Sequence, residues 1–356
     1  MDTAKRSAKL DIIKAVAIIF VVIRHFGWGH ENRLMLLFPY WINTAVPVFM
    51  IISGYVYSLS YQRKQVSSLN DAYRFDLWVE KIIRFTVPFF LIYLLEIPMV
   101  LFIHQKSFVR WMSHFFAGGY GPGSYYFPVM IQFVFVFPFI YYLIKKFDFT
   151  GVFICGLINF FYEILQYVFQ MSEYEYRLLI FRYILLIACG CYFAIGKRVI
   201  KKWVGICALI TGALWIYETQ FLDRIPYFSD EDWTDTNMIA ALWTIPIMWI
   251  LLKSPRLDKL HNRLLEAMGR ASYDIFLVQM VYYGYMGDTI NRYIGKWLIL
   301  GAAFNLVLCT ALGLLFYRIE DPITKKVIAF VRGKDHFRPS VQKRRNRFDA
   351  LFTDEK

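Results

Sequence analysis

The sequence predicts an all-α, polytopic membrane protein with about ten transmembrane helices and both termini in the cytoplasm. Three observations carry this prediction. Of 356 residues, 58% are hydrophobic and 19% charged, where soluble chains carry about 25% charged residues, and the mean hydropathy is +0.42. Apolar runs long enough to cross a bilayer, about 20 residues each, recur along almost the whole chain. Lys and Arg are distributed unevenly between the alternate connections.

The runs place helices over 9–28, 41–62, 82–103, 126–145, 150–169, 177–196, 203–222, 237–253, 272–290 and 296–319. With that register, 29 Lys and Arg fall on the side holding both termini and seven on the other. The positive-inside rule then assigns the richer side to the cytoplasm. The chain divides into a transmembrane domain, 1–330, and a basic cytoplasmic tail, 331–356. The net charge of +13 is thereby explained by loops facing anionic lipid, not by nucleic acid. In the tail, Lys343, Arg344, Arg345 and Arg347 read as a membrane-surface anchor. Ionisable residues in the first apolar run, with no small-residue site after it, argue against a cleaved signal peptide. The five cysteines lie in apolar stretches without metal-ligand spacing and are expected as buried free thiols, with no metal bound.

Ionisable groups inside a span are costly, by roughly 2.5–3.5 kcal/mol each on insertion scales, so each is a functional candidate. The first helix holds four: Asp11, Lys14, Arg24 and His25. Lys14 and His25 are eleven residues apart, which in an α-helix is about 20° past three full turns and a rise of about 16 Å. Both therefore point into one groove, a cation at the cytoplasmic mouth and an imidazole in the outer half, with Asp11 placed to pair with Lys14. A lone histidine suits a general base near neutral pH. Snorkelling of Lys14 and Arg24 to the two headgroup layers, with His25 in a core polar contact, is the structural alternative.

In the second helix the small Ser53-Gly54 pair allows another helix to approach closely. In the third, Lys81 and Arg84 share a face at the cytoplasmic boundary and suit a polyphosphate. The segment Gly118 to Pro128 combines glycines with Tyr125 and other aromatics, fitting either an acceptor cleft or an interfacial aromatic belt. Asp230, Glu231, Asp232 and Asp235 read as solvated outer charge.

Taken in order, these motifs resemble the acyltransferase-3 family of membrane acyltransferases over nearly the whole chain. The resemblance rests on Lys14 and His25 after Leu10-Asp11; on Pro47-Val48-Phe49 followed by Ser53-Gly54-Tyr55; and on Lys81 and Arg84 followed by Pro88. It also rests on Gly269 to Leu277 and on the closing Glu320-Asp321-Pro322. Lys14 and Lys81 stand where the family usually has Arg, and Gln279 stands where it often has His.

The resemblance implies a membrane O-acyltransferase with no bound cofactor. An acyl group, acetyl being the one expected, would pass from cytoplasmic acyl-CoA to a hydroxyl of a cell-surface glycan or exported metabolite at the outer face of the cell membrane. His25, with Asp11, is then the catalytic candidate, while Lys14, Lys81 and Arg84 hold the CoA phosphates. Arg24, Ser53, Tyr125, Gln279 and Glu320 are site-lining candidates, with Gln279 given no proton-transfer role and Glu320 expected to pair with Arg318. The competing reading is a glycan-precursor transporter or flippase.

Overall fold

The computed structural model describes residues 7–103, 107–197, 201–226, 234–294 and 297–335. Among them every regular element is helical, and ten helices reach 12 residues or more. They are α1 (Ala8–His25), α2 (Ala45–Arg63), α3 (Phe75–Leu94), α4 (Tyr126–Phe147), α5 (Phe149–Val168), α6 (Ile184–Ile195), α7 (Lys202–Gln220), α8 (Met238–Lys253), α9 (Ser272–Ile294) and α10 (Leu298–Asp335). Each overlaps one expected apolar run. By length and apolarity alone, four stretches can cross a bilayer: Phe38–Arg63, Tyr126–Phe147, Phe149–Val168 and Leu298–Gly333. A bent pair, Leu69–Leu94 with Glu96–Phe102, makes a fifth. Helix α1 falls outside this set because ionisable groups interrupt its apolar face, and α6 and α8 because they are short.

The outward faces confirm a membrane protein. Phe153, Phe160, Phe161 and Leu157 lie exposed along α5, and Ile206, Ile210 and Leu214 along α7. Water-soluble proteins avoid contiguous apolar surface of this kind. Cys155, Cys189, Cys191 and Cys309 are buried, whereas Cys207 is exposed on α7, departing from the expected burial. A small apolar thiol loses nothing by facing lipid.

Inside, side chains form two apolar clusters. One joins α2, α4 and α6 through Met50, Ile51, Phe133, Phe137 and Ile187. The other joins α1, α3 and α9 through Ile18, Val22, Phe89, Tyr93, Ile275 and Met280. Between α2 and α6 the backbones touch. A methyl added at Gly54 would strike the Ile187 carbonyl, and one at Gly190 the Ile51 carbonyl, so the Ser53-Gly54 pair does admit a partner helix, namely α6. The start of α1 is pinned from far along the chain: Lys9 Nζ donates to the Leu252 carbonyl at 2.8 Å and pairs with Asp258 at 2.9 Å.

Candidate active site

Helix α1 ends at His25 because Gly27 and Gly29 follow, and glycine disfavours continuation of a helix. The carbonyl of Ile23, orphaned at the helix end, accepts from the Trp28 indole at 2.7 Å and from the Phe26 N–H at 3.2 Å. The imidazole is thereby held at a fixed helix terminus.

Helix α9 brings Gln279 and Tyr283, four residues apart on one face, against that terminus. Gln279, fully buried, places Oε1 3.0 Å from His25 Nδ1. The Tyr283 hydroxyl donates to the Val22 carbonyl at 3.1 Å, and its ring stands 6.4 Å from the imidazole. On its other side the Gln279 amide donates from Nε2 to the Pro122 carbonyl at 3.4 Å. A carbonyl can only accept, so this contact turns the NH2 of Gln279 toward Pro122 and its oxygen toward His25. His25 then donates from Nδ1 and keeps the lone pair on Nε2, the tautomer a general base requires. Pro122 belongs to the glycine-rich segment, which folds down onto the site: a methyl added at Gly123 would lie 2.9 Å from Phe276 and 3.5 Å from His25 Cε1.

The neighbouring Arg24 turns about 100° away along the helix. It lines a polar cleft of about 180 Å³ with Arg33, Asn43 and Asp235. Asn43 donates to Asp235; burial pushes that carboxyl up, opposed by Arg24, Arg182 and Arg33. Asp235 is thus engaged, in contrast to the expected solvated charge, while Asp230, Glu231 and Asp232 lie outside the described residues. So do Lys343, Arg344, Arg345 and Arg347. Tyr125 is buried with the Arg177 guanidinium 5.7 Å over its ring, and Ser53 faces the Tyr126 hydroxyl.

At the other end of α1, Asp11 is 3% exposed beneath the short helix Arg263–Arg270, where a methyl added at Gly269 would collide with the Asp11 backbone. Lys14 is half-buried one turn further on. Lys81 and Arg84 start on one face of α3 and diverge. The Lys81 ammonium sits 3.7 Å over Tyr57 and 4.2 Å over Tyr61, buried with no hydrogen-bond acceptor among the described residues. Arg84 is exposed and pairs with Glu80 at 3.0 Å, and Glu80 also takes Arg332.

Glu320 does not form the expected pair with Arg318. Its carboxylate accepts from Thr324 at 2.6 Å and is hydrogen-bonded to the buried Asp274. Two residues apart on a helix, Arg318 points to a different side. Tyr273 is a packing residue, its hydroxyl donating to the Phe85 carbonyl at 3.1 Å. Among the described residues no group of three or more His, Cys, Asp or Glu is arranged to hold a metal ion.

A family model described as an acyltransferase domain matches residues 7–318. The chain belongs to the acyltransferase-3 family. No curated protein and no solved structure matches it. In this acyltransferase the sequence singled out His25 and Gln279 separately. It missed their pairing, and it missed Glu96 and Asp274, which are buried carboxyls inside or beside apolar runs. An acid within a span is itself a signal, and by that signal both were findable.

Proposed function

We propose that this acyltransferase transfers an acyl group, such as acetyl, from cytoplasmic acyl-CoA to a hydroxyl of a cell-surface glycan or exported metabolite on the outer face. The observation that carries this reading is the His25–Gln279 contact, which leaves His25 Nε2 as a proton acceptor beside the glycine-rich segment. Nε2 takes the proton from the acceptor hydroxyl as its oxygen attacks the thioester carbonyl. The C–O bond forms, the C–S bond breaks, and the departing CoA thiolate receives a proton from the imidazolium.

The cation-rich end of α1 is assigned to the cytoplasm by the 29 to seven distribution of Lys and Arg under the positive-inside rule, with both termini on that side. Lys14 and the exposed Arg84 then attract the donor phosphates at a distance, with the Lys81 ammonium adding its charge from its seat over Tyr57 and Tyr61, and the rise of about 16 Å along α1 suits the pantetheine arm reaching toward His25.

The test is made in vesicles of known orientation with labelled acetyl-CoA and a polysaccharide acceptor. Donor on the face bearing the termini is expected to suffice, with acylated product on the opposite face. A requirement for donor on the His25 face, or product appearing only beside the donor, overturns the through-membrane route. Movement of intact acceptor without thioester loss would establish the transporter reading instead.

A further inference from the structure

Glu96 lies just past the end of α3, in the apolar run 82–103, and is completely buried. Burying a carboxylate is unfavourable unless it is hydrogen-bonded or paired, so its surroundings show what the position is for. Both carboxylate oxygens receive the backbone N–H of Tyr120, at 3.4 and 3.3 Å. The approach depends on Gly119, with φ at +94°, where an added methyl would stand 2.9 Å from both oxygens. Only glycine adopts that backbone readily. The Tyr120 ring is fixed in turn by stacking on His114 at 4.3 Å.

Two residues beyond Tyr120, the Pro122 carbonyl holds Gln279, and one further Gly123 lies against Phe276 and His25. Between them Gly121 is seated where a methyl would strike the Met280 carbonyl. Two residues of chain span at most about 7 Å. A shift at Tyr120 therefore passes directly to the group that sets the His25 tautomer. We propose that Glu96 is a positioning residue for acyl transfer, the clasp that holds the strap over residues 118–125 against His25 and keeps water from the thioester. The proposal rests on the acyltransferase reading above.

The test compares Glu96→Ala, which removes the clasp, with Glu96→Gln, which keeps its shape and one acceptor oxygen, in the full-length protein in vesicles. Misplacement of a reacting group by about 1 Å costs on the order of 100-fold. Glu96→Ala is accordingly expected to lower kcat by about 10- to 100-fold, with KM for acetyl-CoA unchanged and a larger share of donor lost to hydrolysis. Glu96→Gln is expected to lie between it and the parent.

A second measurement does not need turnover. Labelling of Ser124→Cys, a buried position, by a membrane-impermeant maleimide is expected to be faster when combined with Glu96→Ala. Faster labelling supports the clasp even if the parent transfers no acyl group, a result that counts against the proposed function alone. Unchanged labelling together with an unchanged ratio of transfer to hydrolysis overturns the proposal. So does a loss of rate in proportion to the unfolded fraction, read by size-exclusion chromatography.

Discussion

The two ends of α1 are built on different plans. Around His25, side chains from α1 and α9 and the backbone of the glycine-rich segment meet in one chain of contacts, from His25 through Gln279 to Pro122. The groups proposed for the donor end are dispersed. Lys81 is buried over aromatic rings, Arg84 is tied to Glu80, and Glu320 is hydrogen-bonded to Thr324 and Asp274. A proton transfer fails if its atoms stand an ångström apart from where they should, whereas attraction of a polyphosphate sums over several cations at a distance. Under the proposed function, one end needs geometry and the other needs only charge.

The sharpest way to break this contrast is His25→Ala. It is expected to reduce acyl transfer at least about 100-fold, the contribution of a general base, while donor affinity by isothermal titration stays at the parent value. More than about a tenth of the parent rate remaining would remove the base role. Next in size is Gln279→Leu, which deletes the tautomer-setting contact and is expected to lower kcat by about 10-fold or more with KM for acetyl-CoA unchanged. Gln279→Glu keeps the shape and an acceptor for the Nδ1 proton and is expected to lose less; a loss as large as that of Gln279→Leu would overturn the tautomer-setting role.

At the other end effects should be smaller and shared. Lys81→Ala and Lys14→Ala are each expected to weaken a non-hydrolysable acyl-CoA several-fold, with the loss shrinking as salt rises at the half-buried Lys14 and less so at the buried Lys81 ammonium, since burial reduces screening. Lys81→Met separates charge from packing, because methionine fills the Tyr57–Tyr61 site without the ammonium. Parent affinity in Lys81→Met would assign Lys81 to packing. Lys14→Arg is expected to restore or improve affinity through a bidentate fork. The smallest expected effect on stability is that of Glu80→Ala, since exposed ion pairs such as Arg84–Glu80 are worth about 0.2–1 kcal/mol. A thermal shift would measure it.

What the sequence made legible follows from periodicity. The all-helical class, the apolar runs that become helices and the close approach at Gly54 each depend on residues within one helix. The His25–Gln279 pairing joins positions 254 apart, and nothing in a 3.6-residue repeat says which distant helix comes alongside. Sequence alone makes Gln279 a site-lining residue without a proton-transfer role; its value lies in which of its two ends faces the imidazole. Glu320 was assigned to Arg318 by nearness in sequence, while its partners are Thr324, one turn away, and Asp274 on another helix. Glu96 sat unremarked within an apolar run, and its meaning appears only once Tyr120 is folded against it.

The anchoring of Lys9 by Leu252, across 243 residues, has a consequence for how the protein is made. At about 5–20 residues per second of synthesis, α1 waits roughly 10–50 s before the chain that receives Lys9 exists. The start of the helix carrying His25 thus waits for its partner, and its imidazole meets Gln279 only after α9 has been translated. A product that stops before α9 therefore lacks the contact proposed to orient the His25 imidazole.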